Sequence, residues 1–246
     1  PIISDILFYP MKRQADYIYA AADEIIAVSQ TYANRALKIN KKCKSVNYVY
    51  LGTDLATFDH FAKSNKIMDK PKDEIWIAYI GTLGHSYDLM SVIDALKKLK
   101  DRGINNIKFI IMGNGPLKSK FEKYAKVKDI NAEFTGKLSY EKMVGILKMC
   151  DIAVNPIRKG SAGSIINKVG DYAAAGLPVI NTQECREYQE LLKKYNAGFN
   201  CINGDPQDIA EKLYKLYINS ELRKEMGRNY RILAEDNFDR RKTYNK

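Results

Sequence analysis

The sequence predicts a doubly wound α/β domain built on a parallel β-sheet. From Glu74 onward, short apolar segments alternate with segments of helical periodicity. The apolar segments lack alternating polar residues, as expected of strands that helices cover on both faces. The chain has 246 residues, 46% of them hydrophobic and 28% charged, which is enough for one such domain and part of another.

The predicted elements follow in strict alternation. Six runs read as strands: IWIAYI, IKFIIMG, NAEFTG, DIAVNP, LPVIN and AGFNCI. The first helix, within YDLMSVIDALKKLKDRG, has apolar residues at helical spacing, and PLKSKFEKYAKV opens with Pro116, which suits a first turn. SYEKMVGILKMC is predicted as a helix capped by Ser139, and SIINKVGDYAAAG and CREYQELLKKYN as the next helices. Two helices, DPQDIAEKLYKLYIN and SELRKEMGRNYRILAEDNF, close the chain, with Ser220 as the predicted cap of the last.

A separate block precedes this domain. It is predicted to contain a helix, a short strand at 24–28, a helix capped by Ser29, and a strand in SVNYVYLGTD. Residues 56–73 are polar and basic, which is typical of a linker or surface loop.

The net charge of +11 allows three kinds of partner: nucleic acid, an anionic membrane surface, or phosphorylated small molecules. Most basic residues lie among acids on predicted helices, which indicates solvated helix faces. No nucleic-acid-binding motif is present, so no nucleic acid is expected as a partner. The four cysteines are scattered and only two histidines occur, so neither a structural metal site nor a disulfide framework is expected, and a reduced cytoplasmic compartment is favoured.

Glycine follows three of the strands, in YIGTLGHS, IMGNGPL and FTGKLS. Ligands of open parallel sheets bind beyond the carboxyl ends of the strands, where loop amides can hold a phosphate. None of these loops matches a dinucleotide fingerprint or a P-loop. Each alone is equally a tight turn, but three in succession indicate a phosphorylated ligand.

Seven segments of the chain carry a family resemblance. In order they are ADEIIAVS, VYLGTDLATF, YIGTLGH, FIIMGNGP, FTGKLS, CDIAVNP and NKVGDYAAAGLPVI. Together they resemble the retaining glycosyltransferases of family four, which have the two-domain GT-B fold. The most specific element, small residues before Gly-Leu-Pro-Val-Ile, resembles the branch that builds capsule, O-antigen and exopolysaccharide chains.

The resemblance implies a domain organisation. Residues 1–55 would be the tail of the N-terminal, acceptor-side domain with the interdomain strand, and most of that domain would be missing from this chain. Residues 56–73 would be the linker, 74–220 the Rossmann-like domain that binds the nucleotide-sugar donor, and 221–246 a helix crossing back toward the N-terminal domain.

The resemblance also implies site residues. Asp171 matches the second acid of the family's E-x7-E motif, where a carboxylate holds the ribose hydroxyls, a role that suits a bidentate acceptor. Lys168 lies three residues earlier on roughly the same helix face, and we predict that it binds the diphosphate. Arg158 and Lys159 are further candidates for this role, but they could equally lie in a solvated loop. The predicted donor-binding set is Gly81, Thr82, Leu83, Gly84, His85, Gly113, Asn114, Gly115, Lys137, Leu138, Ser164, Ile165, Lys168 and Asp171. Within this set, Lys137 and Leu138 match the place where the family's backbone contacts the nucleobase. His85 could contact the donor or be a plain exposed loop residue. Asn114 could contact the donor or be a turn residue with positive φ.

The sequence departs from the family pattern in two places. Gly163 stands where the first acid of the motif contacts the donor sugar. Thr82 and Tyr87 stand near the positions of the arginine and lysine that grip the diphosphate.

The predicted function is retaining transfer of a sugar from a UDP- or GDP-linked donor to a saccharide or lipid-linked saccharide acceptor, without a cofactor or metal and with no nameable catalytic base. The setting would be cell-surface polysaccharide synthesis, in the cytoplasm or peripherally at an anionic inner membrane face. The alternatives are a non-catalytic nucleotide-sugar-binding module and a nucleotide-sugar epimerase of similar architecture.

Overall fold

A computed structural model describes residues 6–64 and 69–244. The chain forms two compact units that meet in sequence between Tyr50 and Leu51. The smaller comprises residues 1–50 and the larger residues 51–246. The site described below lies wholly within the larger unit.

The smaller unit contains helix α1 (Tyr9–Ala21), strand β1 (Ile26–Ala27), helix α2 (Gln30–Ile39) and strand β2 (Asn47–Tyr48). The two strands pair in parallel. The Ser29 hydroxyl accepts a hydrogen bond from the Tyr32 amide at 3.3 Å, which confirms the predicted cap of α2. The amide nitrogen of Asn40 donates to the carbonyls of Tyr19 at 2.7 Å and Ala22 at 2.8 Å, so it ties the end of α2 to the end of α1.

The larger unit is built on six parallel strands. In chain order they are β3 (Ile75–Ile80), β4 (Ile107–Met112), β5 (Ala132–Gly136), β6 (Ile152–Asn155), β7 (Val179–Asn181) and β8 (Gly198–Asn200). Their order in the sheet is β5-β4-β3-β6-β7-β8, and every pairing is parallel. The chain therefore leaves β3 toward one edge, returns to the other side of β3 after β5, and continues to the opposite edge. This is the doubly wound order, and it confirms the predicted fold class.

Helices connect these strands and close the chain. They are α3 (Leu55–Ser64), α4 (Leu89–Asp101), α5 (Lys118–Val127), α6 (Tyr140–Leu147), α7 (Lys168–Ala175), α8 (Arg186–Tyr195), α9 (Pro206–Ile218), α10 (Ser220–Leu233), a π-helical turn (Ala234–Phe238) and α11 (Arg240–Thr243). The Ser139 hydroxyl accepts from the Lys142 amide, as predicted for the cap of α6. The cap of α10 is Asn219 rather than Ser220, because the Asn219 side chain accepts from the Leu222 amide at 2.9 Å.

The core lies between the sheet and its helices. One buried cluster joins β3 and β4 to α4, α5 and α9, and includes Ile77, Leu96, Phe109, Phe121 and Leu213. Trp76, on β3, is 1% exposed and belongs to the core. Cys150 and Cys201 are buried too, and burial raises the pKa of the Cys201 thiol to about 12.

The predicted linker over 56–73 is wrong for its first part. Helix α3 runs from Leu55 to Ser64, buries Leu55 and Phe58, and packs against α6 and α7. Asp59 on this helix forms a two-point ion pair with Arg231 of α10, with both nitrogen–oxygen distances at 2.7 Å. The polar composition that suggested a loop is the exposed face of an amphipathic helix.

Candidate functional site

The strand order places the ligand crevice between β3 and β6, the neighbours from which the chain winds in opposite directions. The loops after these two strands are joined backbone to backbone. Tyr87 and Ile157 form an antiparallel bridge, the Asp88 amide donates to the Pro156 carbonyl at 2.8 Å, and the Arg158 amide donates to the Ser86 carbonyl at 3.0 Å. Residues 81–88 and 156–158 therefore form one continuous rim at the carboxyl edge of the sheet.

The glycines after β4 let its loop pack closely against the β3 loop, and the donor contacts predicted for Gly113 and Gly115 stay predictions. A Cβ at Gly113 would lie 1.8 Å from the Gly81 carbonyl oxygen, and one at Gly115 would lie 2.4 Å from the Leu83 carbonyl oxygen. The Leu83 amide donates to the Asn114 carbonyl at 2.9 Å, and the Leu83 carbonyl accepts from the Leu117 amide at 2.9 Å. The β4 loop thus supports the β3 loop from behind.

This arrangement corrects the prediction for Leu83. Its side chain is fully buried in the hydrophobic core, and its backbone N–H and carbonyl are both used within the protein. Asn114 does not have a positive φ, and its side-chain oxygen accepts from the Gly115 amide at 2.9 Å. Both residues stabilise the rim. The Leu83 side chain is not accessible to a donor, whereas the donor contact predicted for the exposed Asn114 stays a prediction.

Lys168, the first residue of α7, brings an ammonium group to the rim. Its Nζ lies 4.1 Å from the centroid of the Tyr79 ring and 3.9 Å from that of Tyr87, and a Cβ at Gly81 would lie 2.9 Å from it. Although part of the side chain behind it is exposed, the Nζ atom is buried and has no hydrogen-bond partner among the described residues. Burial lowers the pKa of Lys168 well below its usual range.

Unpaired backbone amides occur in the loop that follows Gly81 and in the segment that leads to Lys168. Within the described part of the chain, the N–H groups of Thr82, Gly84 and His85 make no hydrogen bond. The same holds for the consecutive N–H groups of residues 164–168, which lead into α7. A helix N-terminus with open N–H groups favours an anion, so the rim presents one buried cation and two sets of donors to the same space.

Asp171 occupies a neighbouring cleft. Its Oδ1 accepts hydrogen bonds from the hydroxyls of Thr53 and Tyr140, both at 2.8 Å. Burial raises the pKa of Asp171, while the two hydroxyl bonds and the charge of Arg240 act in the opposite direction. The cleft has a volume of about 210 Å³ and is lined by Gly52, Thr53, Asp54, Thr57, Tyr140, Asn167, Asp171 and Arg240.

Gly170 explains why small residues are needed beside Asp171. A Cβ at this position would lie 3.0 Å from the Thr53 hydroxyl oxygen and 3.4 Å from the Gly52 carbonyl carbon. The absence of a side chain lets the Gly52–Thr53 segment reach the helix and place its hydroxyl on the carboxylate. A larger residue would push away the group that orients Asp171.

The remaining predicted residues lie around the same edge. Arg158, Lys159, Lys137, Thr82 and His85 have exposed side chains, and Leu138 is half-buried. The side chain of Ile165 is 2% exposed, so only its backbone is open to a ligand. The Ser164 carbonyl accepts from the Gln183 side chain at 2.6 Å. The donor-binding roles of these residues stay predictions.

Sequence reasoning missed the tyrosines and the amide residues that shape the site. Tyr79 and Tyr87 flank Lys168, and Tyr140 binds Asp171, yet each lies far from its partner in sequence. Gln183, fully buried, fixes the loop that precedes α7. The one available signal was polarity, because Gln183 is a polar residue two positions after a buried strand.

Comparison with known proteins assigns the family. The model of the family described as glycosyl transferases group 1 matches residues 61–232, well over half of the chain. The chain belongs to this family. The matched region begins within α3, covers all six strands of the large sheet and ends within α10.

Individual relatives are distant. The uncharacterized glycosyltransferase MJ1069 of Methanocaldococcus jannaschii is 25% identical over 231 residues, which are 92% of this chain and 57% of that protein. The putative colanic acid biosynthesis glycosyl transferase WcaI of Escherichia coli K12 is 27% identical over 195 residues, 76% of this chain and 47% of that protein. The crystal structure of Anabaena Alr3699/HepE in complex with UDP-glucose superposes with a TM-score of 0.72 at 15% identity, covering 92% of this chain and 63% of that one. This last likeness shows the fold, GT-B, alone.

The chain spans about half the length of the curated relatives that it matches. No helix among the described residues has the length and apolarity needed to cross a bilayer. Nor do the described residues gather three or more potential metal ligands at one place.

Proposed function

We propose that this chain is the donor-binding part of a retaining glycosyltransferase that uses a nucleotide-diphosphate sugar, linked to UDP or GDP. The observation that carries the proposal is the Lys168 ammonium, which is buried, lacks an anionic partner among the described residues and stands between two sets of open amides. A buried charge without a partner is costly unless a ligand supplies one. A diphosphate offers the charge and the acceptor oxygens that this arrangement lacks.

The nucleoside would lie on the Asp171 side of Lys168. Thr53 and Tyr140 use two of the roughly four acceptor positions of the carboxylate, so two remain for the vicinal hydroxyls of a ribose. Tyr140 begins α6 just after Lys137 and Leu138, where we propose that the backbone contacts the base. Ribose and base would then follow the rim from α7 toward β5.

In the proposed reaction, the bond between the anomeric carbon and the diphosphate oxygen breaks while an acceptor hydroxyl oxygen bonds to the same face of that carbon. The hydroxyl proton passes to the departing diphosphate. Lys168 and the open amides would balance the negative charge that develops on the leaving group, and groups already oriented for that charge contribute most to such a step. We propose no cofactor, no metal ion and no side-chain base from this chain.

The acceptor and the cellular setting are also proposals. The printed name of WcaI assigns that relative to colanic acid biosynthesis, and we infer cell-surface polysaccharide synthesis, with a saccharide or lipid-linked saccharide acceptor, for this chain. Acceptor contacts would come from an N-terminal domain of which residues 1–55 are the tail, with 221–246 crossing back to it. The charge of +11 supports peripheral association with an anionic membrane on the cytoplasmic side.

Isothermal calorimetry of the 246-residue chain with UDP, GDP and their sugar conjugates tests the proposal. We expect one nucleoside diphosphate to bind more tightly than its nucleoside, because Lys168 and the amides contact the phosphates. Equal affinity for nucleoside and nucleoside diphosphate would contradict it.

One observation favours a second candidate, a non-catalytic module that binds nucleotide sugars. Gly163 provides no carboxylate where an acid of the family motif is expected. Donor binding without transfer or donor hydrolysis would support this module, and conversion of the free donor to an isomer without acceptor would indicate an epimerase.

A further inference from the structure

A donor on this rim has a defined direction. Asp171 and Lys168 are three residues apart on α7, a rise of about 4.5 Å along the helix axis. If the ribose lies at Asp171 and the diphosphate at Lys168, the sugar continues past the start of α7. It then lies beside residues 162–165 and the neighbouring end of β7.

The loops nearest to this position contain one acid, Asp88, and its carboxylate caps α4 by accepting from the Ser91 amide at 3.3 Å and the Ser91 hydroxyl at 2.6 Å. Residues 81–87, 113–117 and 156–167 include neither aspartate nor glutamate. A carboxylate can accept hydrogen bonds from two sugar hydroxyls at once. An acid that contacts the sugar must therefore come from another loop.

The turn after β7 supplies one. The Gln183 side-chain nitrogen donates to the carbonyls of Ser164 at 2.6 Å and Ala162 at 3.5 Å, which places this turn against the two neighbours of Gly163. Two asparagines hold Gln183 in place. The Asn155 side-chain nitrogen donates to the Gln183 side-chain oxygen at 3.2 Å, and the Gln183 backbone amide donates to the Asn181 side-chain oxygen at 3.1 Å. The turn is thus anchored to the ends of β6 and β7.

Glu184 directly follows Gln183. Its side chain is exposed and makes no hydrogen bond or ion pair with any described residue. The next residue, Cys185, is buried and begins the entry to α8, so the backbone on both sides of Glu184 is fixed. An unpaired carboxylate on an anchored turn can bind a ligand without ordering the backbone, so only its side chain loses conformational freedom.

We propose that Glu184 binds the donor sugar. Its carboxylate, on the turn after β7, accepts hydrogen bonds from the sugar hydroxyls and takes the place of the acid that is absent at Gly163. This inference rests on the proposed function, since it requires a nucleotide sugar on the rim. It makes Glu184 a specificity-determining residue and assigns the donor a sugar with free hydroxyls on the side that faces β7.

The test compares nucleoside diphosphates with nucleotide sugars in calorimetry of the full chain. The probes are UDP, UDP-glucose, UDP-galactose, UDP-N-acetylglucosamine, GDP and GDP-mannose. Glu184→Gln should weaken binding of the preferred nucleotide sugar about tenfold and leave its nucleoside diphosphate unchanged. Glu190→Gln, on the exposed part of α8, is the matched control and should change neither.

Glu187, in the first turn of α8, is the other acid near this turn and is tested in the same way. Three results would overturn the inference while leaving the proposed function intact: Glu184→Gln affects no sugar selectively, it weakens the nucleoside diphosphate equally, or Glu187→Gln alone produces the selective loss. Failure of the unsubstituted chain to bind any nucleoside diphosphate would instead refute the proposed function. A circular dichroism melt of each variant checks that the fold is retained.

Discussion

Replacing Lys168 with methionine separates the role of its charge from that of its packing. Methionine retains the unbranched apolar chain that passes between the Tyr79 and Tyr87 rings but carries no ammonium. The substitution should weaken binding of a nucleoside diphosphate and leave binding of the nucleoside nearly unchanged. It should also raise the melting temperature of the unliganded chain, because a buried ammonium without a hydrogen-bond partner among the described residues is removed, and the loss of its contacts with the two rings offsets only part of that gain.

The expected magnitudes follow from the environment of Nζ. A pair of unit charges 4 Å apart attracts by about 4 kcal/mol at an effective dielectric constant of 20. Part of this offsets the cost of keeping the ammonium charged where burial lowers its pKa. The net loss on substitution should be about 1.5–3 kcal/mol, or roughly a 10- to 150-fold weaker Kd. The gain in stability without ligand should be on the order of 1–3 kcal/mol.

Calorimetry with UDP and uridine, or with GDP and guanosine, measures the first effect, and a thermal melt without ligand measures the second. Lys120→Met, an exposed lysine on α5, is the matched control and should change neither. Equal losses for nucleoside and nucleoside diphosphate would refute the phosphate role of Lys168. A melting temperature that falls would refute the claim that the ammonium lacks a partner in the unliganded protein.

Three further outcomes are expected. Asp171→Ala should weaken uridine and UDP alike by about 1–3 kcal/mol, because the lost contact is to the ribose; unchanged affinity in a folded variant would disprove the ribose assignment. The affinity for UDP should fall as pH rises, at pH values well below those at which an exposed lysine loses its proton, because burial lowers the pKa of Lys168, and this slope should vanish in Lys168→Met. Gly113→Ala should destabilise the chain by about 1–3 kcal/mol in urea unfolding, because the added Cβ meets the Gly81 carbonyl oxygen at 1.8 Å; equal stability would show that the two loops are free to separate.

Strands were predictable from sequence because parallel strands covered on both faces are uninterrupted apolar runs. IWIAYI coincides with β3 from Ile75 to Ile80. Helix starts were less predictable: the small-residue helix was expected from Ser164, whereas α7 begins at Lys168 and leaves four preceding amides unpaired. Local propensity does not distinguish a first helical turn from an extended approach to it.

Contacts between distant segments account for what the sequence did not reveal. Helix α3 has an exposed polar face, and only its packing against α6 and α7 makes it part of the domain. The spacing of Lys168 to Asp171 on one helix predicts a phosphate role for Lys168, and that role stays a prediction. The rings of Tyr79 and Tyr87 that hold it come from β3 and its loop, and no periodicity in the sequence connects them.

A crystal structure of the chain with UDP or GDP bound would locate the diphosphate on the rim. We expect the diphosphate within hydrogen-bond distance of Lys168 Nζ and of the amides before α7, with the ribose hydroxyls on Asp171. A nucleotide bound away from the carboxyl ends of β3 and β6, or one whose phosphates face solvent while Lys168 stays enclosed by its two tyrosines, would contradict this expectation.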